Sequence, residues 1–97
     1  MEKKPAVYIL ANRRNGTLYI GIASDLIKRD WLHKEGHTEG FSEKHGAHLL
    51  VHHEIYQTMR NGILREKQLR KWNRAWKIRL IEKRDSDWRD LSEDLIP

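Results

Sequence analysis

Two apolar runs with a turn signal between them decide the fold: Val7-Tyr8-Ile9-Leu10 and Leu18-Tyr19-Ile20-Gly21-Ile22, separated by a segment that contains Asn15-Gly16. An Asn-Gly pair between β-branched runs is typical of a hairpin with a two-residue turn. Such a turn predicts that Leu10 pairs with Gly21 and that Ile9 pairs with Ile22. We therefore expect a β-hairpin over these two runs.

The two faces of this hairpin differ in chemistry, because successive side chains of a strand point to opposite sides. The aliphatic face holds Val7, Ile9, Ala11, Leu18, Ile20 and Ile22. The tyrosine face holds Tyr8, Leu10, Tyr19, Gly21 and Ala23. We expect the aliphatic face to be core. We expect the tyrosine face to contribute to a site, in which Gly21 leaves room for a close approach.

The downstream pattern predicts further helices and one more strand. Ser24-Asp25 can cap a helix that runs to about Lys34 or Glu35. Residues 37–46 have no period and predict a mobile loop, and the alternation over 48–56 predicts a third strand antiparallel to the hairpin. Helices are predicted over about 58–72 and 74–82, and a short helix in the tail. The fold class is therefore α+β, a three-stranded antiparallel sheet with helices packed on it.

Helical spacing predicts which side chains face the sheet. The predicted inward residues are Leu26, Ile27 and Trp31 in the first helix, Trp76, Leu80 and Ile81 in the third, and Trp88, Leu91 and Leu95 in the tail. In the second helix, Glu66 lies at the centre of the apolar stripe. A carboxylate there is costly unless it is paired or bound to a cation. Glu66 is therefore either an ion-pair partner of Arg70 or Arg29, or a metal ligand.

The composition is that of a small basic domain. The chain has 97 residues, of which 38% are hydrophobic, which is enough for one domain and too few for two. We expect a single domain over 1–97, with a core over about 6–81 and an acidic tail over about 85–97. The formal net charge of +5 favours a polyanionic partner such as nucleic acid. Cysteine, long apolar runs and a secretory signal are absent from this sequence, which favours a cytoplasmic protein without a membrane partner.

Five polar residues have the chemistry that phosphodiester hydrolysis needs: Tyr8, Tyr19, Arg29, His33 and Glu66. The planar fork of an arginine matches phosphate geometry, and a lone carboxylate can hold a hydrated Mg²⁺ ion. A tyrosine beside a cation and an arginine can lose its proton and take one from water. Each residue also has an ordinary interpretation, as a packed strand tyrosine, a solvated helix edge or a structural ion pair.

The two apolar runs also resemble a known family. Val7-Tyr8-Ile9 followed by Leu18-Tyr19-Ile20-Gly21 resembles the two-part signature of the GIY-YIG nucleases. Ala6-Val7-Tyr8 stands where the first part has Gly-Ile-Tyr, and Tyr19-Ile20-Gly21 matches the second part as it stands. The resemblance covers roughly residues 6–81. It implies a GIY-YIG endonuclease-like fold.

The resemblance assigns catalytic roles to the same five positions. Tyr8 would be the general base or its closest partner, and Tyr19 would position water and phosphate. Arg29 would contact the scissile phosphate, His33 would assist proton transfer, and Glu66 would bind Mg²⁺ or Mn²⁺. Gly21 and Asn73 would support the site. In the excision-repair branch a lysine follows the second triplet, whereas Ile22 stands here, so no role is assigned to such a lysine.

The resulting hypothesis is a metal-dependent endonuclease that hydrolyses DNA, or RNA, in repair or recombination, with a protein partner that supplies specificity. The predicted nucleic-acid-binding residues are Arg65, Arg70, Lys71, Arg74 and Lys77. Two alternatives stay open: a non-catalytic nucleic-acid-binding module of the same fold, and a protein-interaction domain. A zinc site at His45, His48, His52 and His53 is disfavoured, and these histidines are interpreted as scattered surface or loop residues. Trp72 and Trp76 are expected to pack in the core.

Overall fold

A three-stranded antiparallel sheet lies at the centre of the computed structural model, which describes residues 4–34 and 46–95, without the side chains of residues 32–34. Its strands are β1 (Ala6–Ala11), β2 (Leu18–Ala23) and β3 (Leu49–Ile55), in the order β2-β1-β3. The predicted α+β class is confirmed. Tyr8 therefore lies on the central strand and Tyr19 on an outer strand. The predicted loop over 37–46 falls almost entirely outside the described residues.

The register of the hairpin differs from the predicted one by two residues. Tyr8 pairs with Gly21 and Leu10 pairs with Tyr19. The loop is longer than two residues, because Gly16 N donates to Arg13 O at 2.9 Å and the Asn12 side chain accepts a bond from Thr17 N at 2.9 Å. A shift of two residues keeps every side chain on its face. The division into an aliphatic and a tyrosine face is therefore confirmed, although the pairing was wrong.

Helices cover both faces of the sheet. They are α1 (Leu26–Lys34), α2 (Met59–Lys71), α3 (Arg74–Arg84) and a C-terminal 3-10 helix (Leu91–Leu95). Leu26 of α1 and Leu91 of the 3-10 helix pack with Tyr8 on the tyrosine face. Leu69 of α2 and Ile81 of α3 pack on the aliphatic face. The sheet is thus the middle layer of three, and β2 is one of its borders.

Three predicted features of the helices are corrected by the structure. The cap of α1 is Asp25 rather than Ser24, since Asp25 Oδ1 accepts a bond from Lys28 N at 3.3 Å. Ile27 and Trp31 are 45% and 54% exposed, because the nine-residue α1 turns Leu26 and Asp30, one turn apart, towards the sheet. Trp76 of α3 is 49% exposed, and the inward position of that helix is Ile81.

The acidic tail folds back onto the sheet, as predicted. Trp88 and Leu91 are buried, and Asp90 Oδ1 accepts a hydrogen bond from Leu50 N of β3 at 3.2 Å. This contact fixes the 3-10 helix over the tyrosine face. Within the described part of the chain, none of the helices has the length and apolar character needed to cross a membrane.

Candidate functional site

The structure brings three of the predicted catalytic residues together on the tyrosine face. Tyr8 and Tyr19 lie on neighbouring strands with ring centroids 6.3 Å apart and planes tilted by 41°. The Tyr8 hydroxyl is hydrogen-bonded to both Arg29 and Tyr19. Arg29 lies in the first turn of α1, whose Leu26 anchors the helix against the sheet. Tyr8, Tyr19 and Arg29 form what we call the tyrosine cluster.

Tyr8 is the buried member of the tyrosine cluster. It is 1% exposed, whereas Tyr19 and Arg29 are half-buried. Burial, together with the neighbouring Tyr19, raises the pKa of Tyr8 to about 12, although the Arg29 guanidinium acts in the opposite direction. The Tyr8 hydroxyl is therefore protonated at neutral pH. Only additional positive charge nearby would make it a proton acceptor.

Gly21 makes the tyrosine cluster possible. A Cβ atom built on Gly21 would lie 2.5 Å from both Cζ and Oη of Tyr8, well inside van der Waals contact. We expected this glycine to leave room for a close approach on the tyrosine face. The group that approaches is the ring of Tyr8 itself, because the observed register places the two residues opposite each other.

Glu66 lies on α2 and is linked to β2 through Arg70. Its carboxylate is 12% exposed, and its Oε1 atom lies 2.8 Å from Nε of Arg70, one turn along the helix. Nη2 of Arg70 also donates to the Ile20 carbonyl of β2 at 3.0 Å. The structure therefore shows the ion pair with Arg70 that was one of the two explanations for a carboxylate in the apolar stripe.

A cleft of about 350 Å³ lies beside β2, and its lining includes Tyr19 of the tyrosine cluster and Arg70, the partner of Glu66. Its lining residues are Leu18, Tyr19, Ile20, Arg70 and Lys77. Tyr19 belongs to the tyrosine cluster and Arg70 holds Glu66, so β2 links the groups on both faces of the sheet. Two cationic side chains and a phenol at one cleft suit an anionic ligand such as a phosphate.

The carboxylate to consider as a ligand for a divalent ion is that of Glu66, which is bonded to an arginine of this cleft. Among residues 4–31 and 46–95, no group of three or more His, Asp or Glu side chains could enclose a metal. Glu66 presents a single partly exposed carboxylate, one oxygen of which lies on Arg70. Mg²⁺ keeps several of its waters and often uses only one or two protein carboxylates. Glu66 is therefore the residue that would hold Mg²⁺ or Mn²⁺ here.

Two of the predicted nucleic-acid-binding arginines make contacts within the fold. Arg65 donates to Glu54 through Nε at 2.8 Å and through Nη2 at 3.1 Å, and its guanidinium lies 4.9 Å from the ring centroid of Trp72. Arg74 donates to the Asn15 carbonyl of the hairpin loop at 2.7 Å. Part of the donors of each guanidinium is thus used within the protein. Lys71 and Lys77, by contrast, have no ion pair within the described segments.

Two further predicted site residues lie on helices, His33 in α1 and Asn73 at the start of α3. His33 lies in α1, one turn after Arg29, and its side chain is outside the described part of the structure. Asn73 is the N-cap of α3, because its side chain accepts a bond from Trp76 N at 2.9 Å. The role that the coordinates show for Asn73 is thus that of a helix cap.

Sequence reasoning missed a polar network around Glu54. The carboxylate accepts bonds from His52 Nε2 and the Tyr56 hydroxyl, each at 2.8 Å, besides those from Arg65. His52 is only 3% exposed, so its interpretation as a surface or loop residue was wrong. His52 is buried because β3 contains a β-bulge. Leu10 pairs with Leu50 but Ile9 pairs with His52, which leaves Val51 as an extra residue. The bulge moves the following residues of β3 to the opposite face from the one their alternation predicts.

Comparison with known proteins agrees with this architecture. The family model of the GIY-YIG catalytic domain matches residues 4–79. UPF0213 proteins of Staphylococcus aureus strains Mu3, Mu50 and N315 are each 31% identical over 70 residues, which is 72% of this chain and 85% of the relative. No solved structure matches the chain. The family match spans the hairpin, the tyrosine cluster and Glu66, and the chain belongs to the GIY-YIG family.

Proposed function

We propose that the protein is a divalent-metal-dependent endonuclease that hydrolyses phosphodiester bonds of DNA. Its membership of a catalytic-domain family indicates a nuclease-type function and a nucleic-acid substrate. Repair or recombination of DNA is the setting that we propose for it. The observation that carries the proposal is the cleft in which Tyr19 of the tyrosine cluster meets Arg70, the partner of Glu66.

The cations of the cleft bind the phosphate in this proposal. Lys77 has no ion pair within the described residues and lines the cleft next to Arg70. The Arg29 guanidinium has five N–H donors, and the Tyr8 hydroxyl does not use all of them. The remaining donors can stabilise negative charge that develops on the phosphoryl oxygens. In this proposal Arg70 and Lys77 bind the phosphate from the cleft that they line, and Arg29 acts from the tyrosine cluster.

The two phenols have different tasks, because only one of them lines the cleft. Tyr19 is half-buried and is among the residues that line the cleft, whereas Tyr8 is 1% exposed and is not. Tyr19 is thus the phenol that orients the attacking water. Tyr8 acts through Tyr19: its hydroxyl fixes the Tyr19 hydroxyl and the Arg29 guanidinium by hydrogen bonds. His33, one turn beyond Arg29, is proposed to assist proton transfer.

Glu66 is the proposed ligand of Mg²⁺ or Mn²⁺. When bound, such an ion supplies positive charge that neutralises the departing oxygen and activates water. Through its partner Arg70, which lines the cleft, Glu66 would bring this charge close to the bound phosphate. Arg70 keeps the carboxylate oriented through its second bond, to the Ile20 carbonyl.

Cleavage of DNA by wild type and Glu66→Gln tests this function. The substrates are supercoiled plasmid and branched DNA, with Mg²⁺ or Mn²⁺. We expect wild type to nick the plasmid and the variant to have a cleavage rate lower by roughly 100-fold or more. This is the scale of removing one key electrostatic group from an active site. Glu93→Gln is the matched control, because Glu93 is exposed on the C-terminal 3-10 helix. Equal cleavage by wild type and Glu66→Gln would contradict the assignment.

A non-catalytic nucleic-acid-binding module is the second candidate function. The ion pair between Glu66 and Arg70 favours it, because a carboxylate neutralised by an arginine binds a cation less strongly. In that case the wild-type protein binds DNA in a salt-dependent manner and cuts none of the substrates with any divalent ion. The same plasmid assay separates the two candidates.

A further inference from the structure

A second cleft lies on the outer side of α3 and shares no lining residue with the first. It has a volume of about 280 Å³ and is lined by Trp72, Trp76, Arg79, Leu80 and Lys83. Trp76 is 49% exposed although it is the largest apolar side chain of α3. Its ring meets Trp72 edge to face, with centroids 5.7 Å apart and planes at 88°. We call this surface the tryptophan cleft.

The tryptophan cleft is held rigid from below. Trp72 packs against the aliphatic core cluster, and the Arg65 guanidinium lies 4.9 Å from its ring centroid. Arg65 is fixed in turn by two bonds to Glu54 on β3. Asn73 caps α3 at Trp76 N, which fixes the start of the helix that carries the exposed ring. An exposed tryptophan on such a fixed support is a preformed stacking surface.

The charges around the tryptophan cleft indicate what kind of ligand it takes. Its floor is apolar, whereas Arg79 and Lys83 are exposed at its rim and have no ion pair in the described ranges. A ligand that matches has a flat apolar face and a negative charge beside it. A nucleotide has both, since its base stacks on aromatic rings and its phosphate binds arginine and lysine. The volume is close to the lower limit of ligand pockets, which suits one planar group.

We propose that the tryptophan cleft binds an unpaired nucleotide of single-stranded nucleic acid, with the base on Trp76 and the phosphates on Arg79 and Lys83. Bases within a duplex are already stacked on one another, so the cleft would select an unpaired segment over a duplex. α3 also supplies Lys77 to the first cleft, and a strand held on α3 can therefore engage both surfaces. This binding site goes beyond the proposed cleavage and does not depend on it.

The test is the binding of labelled oligonucleotides, measured by fluorescence anisotropy in EDTA so that cleavage does not contribute. The probes are a fluorescein-labelled oligothymidine and a hairpin duplex of equal length. We expect tighter binding of the single strand and quenching of tryptophan fluorescence. Trp76→Ala should weaken single-strand binding by roughly tenfold, and Trp76→Phe by less, because a smaller ring still stacks. Arg79→Gln should weaken binding and lower its salt dependence.

Two control variants make the test specific. Leu64→Ala removes another exposed apolar side chain, 58% exposed on α2 and in neither cleft, and should bind like wild type. Glu93→Gln changes an exposed carboxylate of the C-terminal 3-10 helix that lines neither cleft, and it should also bind the single strand like wild type. Unchanged single-strand affinity in Trp76→Ala would overturn the proposal. So would dissociation of a dimer by Trp76→Ala without any effect on oligonucleotide binding, because the cleft would then be an interface between copies.

Discussion

At the scale of single residues, the site depends on the fit between Gly21 and Tyr8. The two residues are paired across β1 and β2, and the ring of Tyr8 occupies the space that any larger side chain at position 21 would fill. The same ring contacts Tyr19 and holds Arg29 through its hydroxyl. One missing methyl group thus sets the positions of three functional side chains.

Gly21→Ala is therefore expected to lower the free energy of unfolding by about 1–3 kcal/mol, the usual cost of overpacking a filled space. The new Cβ atom would lie 2.5 Å from the Tyr8 ring, which the sheet and α1 hold in place. Urea unfolding followed by circular dichroism measures the change.

Gly62→Ala is the matched control for this substitution. Its Cβ atom would meet the Cδ1 atom of Ile22, at 2.8 Å, which is the mobile end of a side chain. Since alanine also favours the interior of α2, we expect stability within about 1 kcal/mol of wild type. If Gly21→Ala unfolds at the same urea concentration as wild type, the close fit with Tyr8 is not a constraint.

At the scale of secondary-structure elements, Glu54 joins β3 to α2 by its bonds to Arg65. Arg65 directly precedes Glu66, the residue that we propose to bind metal. Burial opposes ionisation of this carboxyl, but hydrogen bonds from His52, Arg65 and Tyr56 outweigh it and hold the pKa of Glu54 well below its ordinary value. A depressed carboxyl pKa means that the unfolded chain binds the proton first. Glu54 therefore stabilises the fold above about pH 4.5 and loses this contribution as the pH falls.

We expect acid to destabilise the protein in two stages. The pKa of His53 is lowered by burial, with Arg84 and His52 acting in the same direction, so stability begins to fall below pH 6.5 as the unfolded histidine takes up its proton. The second stage, below about pH 4.5, belongs to Glu54. Glu54→Gln should lower the free energy of unfolding by about 1–3 kcal/mol at pH 7. It should also reduce the loss of stability in the second stage. Urea unfolding at pH 7, 5.5 and 4 measures both, and an unchanged acid stage in Glu54→Gln would contradict the assignment.

The elements themselves could be predicted from the sequence more completely than their pairing. Alternation and helical spacing predict the three strands, both long helices and the fold-back of the tail at Trp88 and Leu91. The hairpin register could not be predicted, because Asn15-Gly16 is compatible with loops of several lengths and the Asn12 side chain closes the observed one. The bulge at Val51 was also hidden, since the alternating pattern continues through it while the backbone changes face.

At the scale of the whole molecule, only part of the positive charge is available to a polyanion. Arg65 is bound to Glu54 and Arg74 to the hairpin loop, whereas Lys71 and Lys77 have no ion pair within the described segments. The formal net charge of +5 describes the sequence but not where the charge can act. The sequence could identify the basic stretch. It could not identify which cations bind the protein itself, because that depends on tertiary contacts.

Lys77→Gln should reduce the salt dependence of DNA binding by about one phosphate contact, a change of about 0.9 in the slope of log K against log salt for duplex DNA. Its thermal stability should match that of wild type. Arg65→Gln is the contrasting variant. It should lower the stability through loss of the pair with Glu54, whereas the folded variant should bind DNA with the same salt dependence as wild type. Anisotropy titrations at several salt concentrations measure both slopes, and equal slopes for Lys77→Gln and wild type would argue against a phosphate at this cleft.

Residue types and the family resemblance could name five candidate catalytic residues, but not their arrangement in space. The structure brings Tyr8, Tyr19 and Arg29 together and pairs Glu66 with Arg70, which lines the cleft beside β2. The ion pair is compatible with two interpretations of Glu66: it is a structural partner of Arg70, or it is a metal ligand that Arg70 orients. The choice between them decides whether the cleft is catalytic.

Binding of Mn²⁺ is the measurement that separates these interpretations most directly. Electron paramagnetic resonance of the free ion, titrated with protein, gives its affinity without any DNA. If Glu66 is the ligand, wild type binds one Mn²⁺ ion, Glu66→Gln loses this binding while staying folded, and Glu93→Gln retains it. Equal Mn²⁺ affinity of wild type and folded Glu66→Gln would show that Glu66 is only the structural partner of Arg70.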